Sequence, residues 1–176
     1  SDGQAEIASC NYAARGFGVR NGMWVARAKE LCPSIVIMPY DFGAYEKAAE
    51  AMYRETFATT PFVMGVSVDE CFADLTALAQ PEAAAHTLRA RIHAATGCVA
   101  SIGLGPNRLL ARLATKRAKP DGLYALRSVE EGREAIADEP VSTLPGIGSQ
   151  TKQKLEAIGV STCAQRQLHT SLPKNG

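Results

Sequence analysis

An acidic pair inside an apolar stretch is the feature that most constrains how this chain folds. Asp69 and Glu70 lie between two apolar segments, residues 62–68 and 71–75. The composition of the first segment predicts a strand, and the second is its hairpin partner or its continuation. Because neighbouring strand residues point to opposite faces, both carboxylates can reach one metal site only at a strand end or in a turn.

The chemistry of this pair leaves two interpretations open. Burying an unpaired carboxylate is costly, so an acidic pair in an apolar region needs a compensating cation or water. Two hard oxygen ligands at a sheet edge suit Mg²⁺. The alternative is a polar hairpin turn with two solvated acids. Asp74 precedes Leu75 and Thr76, and we expect it to cap or fix the fold there rather than to bind metal.

Hydrophobic spacing along the rest of the chain predicts short strands and helices that do not alternate as repeated βαβ units. The predicted helices are residues 24–31, 45–57, 81–95, 107–118 and 129–137, followed by two short helices that flank residues 144–148. The further predicted strands are residues 7–10, 35–38, 98–104 and 123–126. This order indicates an α+β fold, in which helices cover one face of an antiparallel sheet. The helical tail after residue 126 is predicted to be a separate small domain.

Composition excludes several classes of protein. The 176 residues are 46% hydrophobic and 21% charged, which is typical of a globular protein rather than a disordered one. Five cysteines without metal-ligand or redox spacing indicate free thiols in a reducing compartment. No apolar run is long enough to cross a bilayer and the first residues do not resemble a signal peptide, so we expect no membrane role. The absence of an initiator Met suggests that the natural N-terminus lies upstream.

A stripe of basic residues on one predicted helix indicates a polyanionic partner. The formal net charge of +1 gives no such indication by itself, so only local clustering is informative. Six basic residues and one acid lie between residues 101 and 128. Four of the basic residues share one helical face: Arg108, Arg112, Lys116 and Lys119. Solvated charged faces usually mix acids and bases, so this stripe favours phosphate binding. The preceding Gly103 and Gly105 predict a tight strand-to-helix turn rather than a dinucleotide fingerprint.

The sequence LPGIG, which starts at Leu144, predicts a helix-hairpin-helix. Its glycines Gly146 and Gly148 free the backbone to turn, and the following helix, with Lys152, exposes N–H groups at its start. Such N–H groups bind a phosphate oxygen without reading a base. A plain hairpin of two helices is the alternative.

Four motifs together resemble the Y-family translesion DNA polymerases, in the same order and spacing. They are SCNYAARGFGV from Ser9, SVDE from Ser67, ATKRAKPDG from Ala114 and LPGIG from Leu144. The resemblance covers the chain from about Ile7 to Ala164. Other segments are most similar to the deoxycytidyl transferase branch, although DinB-like relatives share much of the pattern: RNGM from Arg20, LCP from Leu31, PYDF from Pro39 and GCVASIG from Gly97.

The resemblance implies fingers at residues 1–41, palm at 42–126 and thumb at 127–176. It implies that Asp69 and Glu70 are two of three metal-binding carboxylates, for two Mg²⁺ ions. It also implies that Ser9, Tyr12, Arg15 and Lys119 hold the triphosphate of the incoming nucleotide. The expected partners are primer-template DNA, including damaged DNA, a dNTP with dCTP favoured, and further translesion polymerase subunits; the expected location is the nucleus.

The sequence also departs from the family pattern. The first metal-binding Asp lies on a strand upstream of the fingers in the family, and Asp2 does not match it because no apolar strand surrounds it. The nucleotide-selecting segment and the little-finger domain are also missing. We therefore expect this stretch alone to be inactive. The rival interpretations are a DinB-like polymerase with broader dNTP use and a non-catalytic DNA-binding scaffold.

Overall fold

The computed structural model describes residues 5–165, which form two compact units that meet in sequence at Phe42 and Gly43. The first unit contains α1 (Tyr12–Gly16) and α2 (Val25–Leu31). Helix α3 starts at Phe42, the last residue of the first unit, and the rest of this helix belongs to the second unit. Its elements are α3 (Phe42–Phe57), β1 (Val63–Gly65), β2 (Cys71–Ala73), α4 (Pro81–Thr96), β3 (Ile102–Leu104), α5 (Arg108–Ala118), β4 (Leu123–Ala125), α6 (Val129–Ile136), a 3₁₀ turn (Val141–Thr143) and α7 (Ser149–Ala157).

The first unit is held by a small apolar core between its two helices. The core side chains are Ile7, Ala14, Val19, Val25, Ala28 and Cys32. Helix α1 was not predicted, although its start has a sequence signal, since the Asn11 side chain accepts a hydrogen bond from the Ala14 N–H at 2.9 Å. This cap leaves Tyr12 and Arg15 on one short, anchored helix.

Two strands predicted in this unit do not form. Neither residues 7–10 nor residues 35–38 form a strand, and an isolated bridge between Glu6 and Trp24 lies just before the first of these segments. The reason is the lack of partners: a strand needs a neighbour to accept its ladder hydrogen bonds. The Ile35 N–H instead donates to the Cys32 carbonyl in a turn that follows α2.

In the second unit, the prediction of an antiparallel sheet is wrong for half of the strands. The β1–β2 hairpin is antiparallel as predicted, with Met64 opposite Phe72. Strands β3 and β4 form a separate two-stranded ladder and are parallel. The physical reason is the connection: α5 lies between them in sequence, and a helical crossover carries the chain back to the end of the sheet at which β3 began, so that β4 runs in the same direction. The unit therefore contains a βαβ motif that the sequence analysis did not recognise.

Glycines let α5 pack unusually close to β3. A Cβ added at Gly103 would lie 2.1 Å from the Thr115 backbone nitrogen, and one at Gly105 would lie 2.6 Å from that of Ala111. Gly103 is thus a strand residue needed for helix–strand contact rather than part of the predicted tight turn. The core beneath this contact consists of Leu110, Leu113, Ala114 and Leu126.

The helical tail packs on this same core. Ala135 and Ile136 at the end of α6, and Leu144 after the 3₁₀ turn, contact the cluster around Leu110. The predicted domain limits at residues 41 and 126 remain predictions. The predicted end of the thumb, residues 166–176, and Asp2 lie outside the described residues. Within residues 5–165, no helix is long and apolar enough to cross a bilayer.

Candidate active site

Asp69 and Glu70 lie in the turn of the β1–β2 hairpin. The N–H groups of Val66 and Ser67 both donate to the Glu70 carbonyl, at 2.9 and 3.0 Å, which closes a tight turn. Glu70 directly precedes β2. The pair therefore meets the geometric condition for sharing one metal, because side chains in a turn are not forced to opposite faces.

Both carboxylates are exposed in this structure, so the argument that burial forces them to bind a cation does not apply. The Asp69 carboxylate accepts a hydrogen bond from the Ser67 hydroxyl at 2.6 Å. Carboxylate oxygens are the donors that Mg²⁺ prefers, so the pair fits this ion. However, the described part of the chain contains no group of three or more His, Cys, Asp or Glu side chains that could hold a metal. The pair by itself would supply only two of the ligands that a metal site needs, and the assignment remains a prediction.

Tyr53 on α3 also contacts this turn, through its hydroxyl group. The sequence analysis did not identify Tyr53 as a site residue. Its hydroxyl donates to the Ser67 carbonyl at 2.7 Å and also approaches the Glu70 carbonyl at 3.1 Å. Burial raises the pKa of Tyr53, and the nearby Cys71 and Asp69 raise it further. The only available sequence signal was a tyrosine on the apolar face of a predicted helix, which by itself indicates core packing.

Asp74 fixes the chain after β2, as predicted. Its carboxylate accepts from both the N–H and the hydroxyl of Thr76, at 2.8 and 2.5 Å, and its carbonyl accepts from the Thr60 hydroxyl at 2.8 Å. The Thr76 hydroxyl, and then the Thr76 N–H, hold the pKa of Asp74 below its usual value. These bonds give the Asp74 carboxylate and carbonyl partners within the fold, which agrees with a structural role.

The four basic residues of the predicted stripe on α5 fall into two groups, those that bond to other parts of the described fold and those that do not. Arg108 contacts the Met64 sulfur at 3.4 Å, and Lys116 donates to the Thr143 carbonyl at 2.9 Å, so both link parts of the fold. Arg112 and Lys119 are exposed, and their side chains make no hydrogen bond or ion pair within residues 5–165. These two are the members best placed to bind an external phosphate.

The loop that follows Lys119 is anchored on both sides. The Ser101 hydroxyl donates to the Pro120 carbonyl at 2.9 Å. Arg89 on α4 donates to the Ala100 carbonyl at 2.7 Å and pairs with Asp121 at 2.5 Å. Lys119 therefore projects from a fixed backbone at the end of α5. Sequence reasoning did not single out Arg89, whose partner lies 32 residues away.

The predicted triphosphate-binding residues divide between the two units. Ser9, Tyr12 and Arg15 are all exposed in the first unit, whereas Lys119 belongs to the second with Asp69 and Glu70. The Arg15 guanidinium lies 5.3 Å from the centre of the Tyr12 ring, and its Nε donates to the Cys10 carbonyl at 3.1 Å. Arg15 is thus held beside Tyr12 while it keeps donors for a ligand.

The predicted helix-hairpin-helix has a single 3₁₀ turn in place of its first helix. Gly146 adopts a φ of +85°, a conformation that side chains disfavour, and Gly148 immediately precedes α7. Among residues 5–165, no side chain makes a capping hydrogen bond at the start of α7, so its first N–H groups can donate to a ligand. Lys152 pairs with Glu156 at 3.6 Å, and both side chains are exposed. Binding of DNA at this hairpin remains a prediction.

Comparison with known sequences gives one family. The sequence profile of the impB/mucB/samB family matches residues 1–116. The DNA repair protein REV1 of Arabidopsis thaliana is 45% identical over 168 residues, which are 94% of this chain and 15% of that protein. The DNA repair protein rev1 of Schizosaccharomyces pombe is 42% identical, over 93% of this chain and 18% of that protein. DNA polymerase IV of Aeromonas hydrophila is 36% identical, over 96% of this chain and 49% of that protein.

Comparison with solved structures gives the same fold. The insertion ternary complex of Dbh DNA polymerase superposes with a TM-score of 0.85 at 24% identity, over 95% of this chain and 49% of that one. DinB from Sulfolobus solfataricus gives a TM-score of 0.81, also at 24% identity, over 95% of this chain and 50% of that one. This chain therefore spans less than a fifth of the two REV1 relatives and about half of the polymerase chains.

Proposed function

Because the chain belongs to the impB/mucB/samB family of Y-family polymerases and is most similar to the REV1 branch among the relatives above, we propose that the complete protein carries out translesion DNA synthesis. The reaction is transfer of a deoxynucleotide to a primer 3′ end, in DNA damage tolerance. The observation that carries the proposal within the molecule is the exposed Asp69–Glu70 pair in the hairpin turn. Carboxylates presented in this way can hold Mg²⁺ beside a nucleotide.

The proposed chemistry assigns each residue a task. Asp69 and Glu70 would hold Mg²⁺, and two such ions, as the family resemblance implies, would supply activation of the primer hydroxyl and neutralisation of the leaving pyrophosphate. Arg15 and Lys119 neutralise and orient the triphosphate, since charge-assisted hydrogen bonds to phosphate are strong and directional. Tyr12 supports the Arg15 guanidinium through its ring, and Ser9 offers a hydroxyl donor.

We further propose that dCTP is the favoured substrate, because REV1 proteins at 42 to 45% identity are closer than DNA polymerase IV at 36%. The alternative is a DinB-like enzyme that uses all four dNTPs as the template directs. Primer-template DNA, damaged DNA and further translesion polymerase subunits are the proposed partners, and the nucleus is the proposed location. The hairpin at Gly146 and Gly148 would bind the DNA backbone through the N–H groups at the start of α7.

A groove in the second unit supports the proposal that another strand completes the palm. Its volume is about 890 Å³, and residues from all four strands line it, among them Val63, Phe72, Leu104 and Ala125. Two residues that alternate along β1 and its approach, Phe62 and Met64, are exposed apolar side chains, and Val66 and Val68 in the following turn are also exposed. An apolar strand face of this kind needs cover. We propose that the strand bearing the third metal-binding carboxylate of the family supplies it.

The metal assignment is tested in the full-length protein. Asp69→Ala combined with Glu70→Ala should abolish primer extension, because the described residues contain no other cluster of three or more potential metal ligands. Glu50→Ala is the matched control, since Glu50 is an exposed acid on α3 of the same unit. Extension by the double variant at the rate of the control would refute the assignment.

Residues 1–176 alone should show no primer extension with Mg²⁺ or Mn²⁺ while the full-length protein is active. Two metals close together repel each other, so two carboxylates provide too little fixed negative charge to hold both. Robust extension by residues 1–176 would contradict the three-carboxylate argument and redirect attention to Asp74 or Asp41. It would leave the assignment of Asp69 and Glu70 to the test above.

A further inference from the structure

One tyrosine from α3 ties together the two ends of the acidic turn. The Tyr53 hydroxyl has a single proton, and it lies within 2.7 Å of the Ser67 carbonyl and 3.1 Å of the Glu70 carbonyl. Ser67 in turn donates its side-chain hydroxyl to the Asp69 carboxylate. Thus one residue of the acidic pair is tied to Tyr53 through its own backbone, and the other through Ser67.

The surroundings of this hydroxyl are shaped to admit it. A Cβ added at Gly65 would lie 3.0 Å from the Tyr53 oxygen, so any larger residue there would press on the hydroxyl. The turn otherwise lacks deep packing, because residues 64–70 are all exposed. Its shape in this unit therefore depends on the backbone bonds to the Glu70 carbonyl and on Tyr53.

We propose that Tyr53 is a positioning residue that holds the Asp69–Glu70 turn in the shape that binds Mg²⁺. This inference rests on the proposed function, since it assigns Tyr53 a role at the same metal site. Tyr53 does not touch the metal or the substrate in this proposal. It acts on the two carbonyls, and its loss lets the turn sample conformations in which the carboxylates diverge.

The expected size of the effect follows from other supporting residues around metal ligands. Loss of such a partner commonly costs about 10-fold to 100-fold in metal affinity or activity. Because the turn keeps its two backbone bonds to the Glu70 carbonyl, we expect the lower end, a rise of about 10-fold in the half-saturating Mg²⁺ concentration. Saturating Mg²⁺ should restore the rate, because the carboxylates themselves are intact.

The test uses the full-length protein with Tyr53→Phe, which keeps the ring and removes only the hydroxyl. Tyr45→Phe is the matched control, with the same chemical change on the same helix. Primer extension is measured against Mg²⁺ concentration for both variants, together with the melting temperature and the affinity for primer-template DNA. Gly65→Ala is the second variant: it retains Tyr53, crowds its hydroxyl, and should shift the Mg²⁺ requirement in the same direction.

Support requires a higher Mg²⁺ requirement for Tyr53→Phe and Gly65→Ala, with rescue at saturating Mg²⁺ and an unchanged control. The inference is overturned if Tyr53→Phe has the wild-type Mg²⁺ dependence while the Asp69→Ala, Glu70→Ala protein is inactive. It is also overturned if the rate falls equally at every Mg²⁺ concentration, which would indicate a purely structural role. Activity of the double variant itself would instead refute the proposed function.

Discussion

Replacing Gly103 with alanine should damage the second unit more than its size suggests. The new Cβ would lie 2.1 Å from the Thr115 nitrogen, 2.3 Å from the Ala111 carbonyl oxygen and 2.6 Å from the Ala114 carbonyl carbon. All three are backbone atoms of α5, so no flexible side chain can move aside. The helix has to retreat from β3 by more than about 1 Å to reach ordinary contact distances, which opens a gap along a close-packed interface.

The magnitude follows from the cost of overpacking. Inserting a methyl group into a well-packed region commonly costs about 1–3 kcal/mol, and a clash with rigid backbone belongs at the upper end. For a chain of this size, about 3 kcal/mol corresponds to a fall of roughly 6–12 °C in melting temperature. The core beneath α5 includes Leu110 and Ala114, so the loss should extend to the helical tail packed on it.

The assay is thermal and urea unfolding of the 176-residue chain, followed by circular dichroism. Gly16→Ala is the matched control, because its added Cβ meets nothing within 4 Å and its backbone is helical. The control should be neutral or slightly stabilising. A Gly103→Ala protein as stable as the control would refute the reasoning that α5 needs a glycine on β3.

Three further predictions concern acid stability, DNA binding and substrate choice. Because the pKa of Asp74 is lowered in the fold, its hydrogen bonds stabilise the folded protein above about pH 4. This stabilisation is lost as the pH falls through the folded-state pKa of Asp74. The free energy of unfolding of Asp74→Asn should therefore differ from that of wild type at neutral pH and converge with it in acid. The chain should bind duplex DNA weakly, without sequence preference and with a steep salt dependence. Gly146→Ala should weaken this binding more than Gly159→Ala, a control at the other end of α7 that introduces a similar backbone strain. Salt-independent or sequence-selective binding would count against the proposal. In single-nucleotide insertion by the full-length protein, dCTP should be favoured opposite every template base, and equal, template-directed use of all four dNTPs would point to the DinB-like alternative.

Local sequence signals predicted α2 to α6 well because their determinants are local, although α1 was missed and one predicted short helix is a 3₁₀ turn. Helix α4 begins with Pro81 and ends at Gly97, whose φ of +70° forms the C-cap, and α6 begins after Ser128, whose side chain accepts from the Glu131 N–H. The acidic hairpin was also predictable, since its two apolar segments and the intervening pair are adjacent in sequence. The assignment of Asp74 to the fold rested on the same kind of short-range bonding.

Strand pairing was not predictable in the same way, because it depends on partners far along the chain. Residues 35–38 have the composition of a strand but remain unpaired, with Val36 and Met38 each about 80% exposed. The parallel β3–β4 ladder depends on how α5 packs across it, which strand composition alone does not encode. Tyr53 and Arg89 were missed for the same reason, since their partners lie 14 to 17 and 32 residues away.

The two residues that the sequence analysis missed, Tyr53 and Arg89, both contact segments that carry proposed site residues. The acidic pair is adjacent in sequence, but the side chains that fix its surroundings come from other elements: Tyr53 from α3 holds the turn, and Arg89 from α4 holds the loop after Lys119. Each does so through backbone carbonyls or a single ion pair, so neither changes the charge of the groups presented to a ligand. The proposed metal ligands and the proposed phosphate-binding lysine can therefore be recognised from short motifs, whereas their alignment depends on two helices whose sequences carry no catalytic motif. A substitution of Tyr53 or Arg89 should raise the concentration of metal or nucleotide needed for half-maximal activity while changing the maximal rate little. This pattern distinguishes a residue that positions the site from one that takes part in the chemistry.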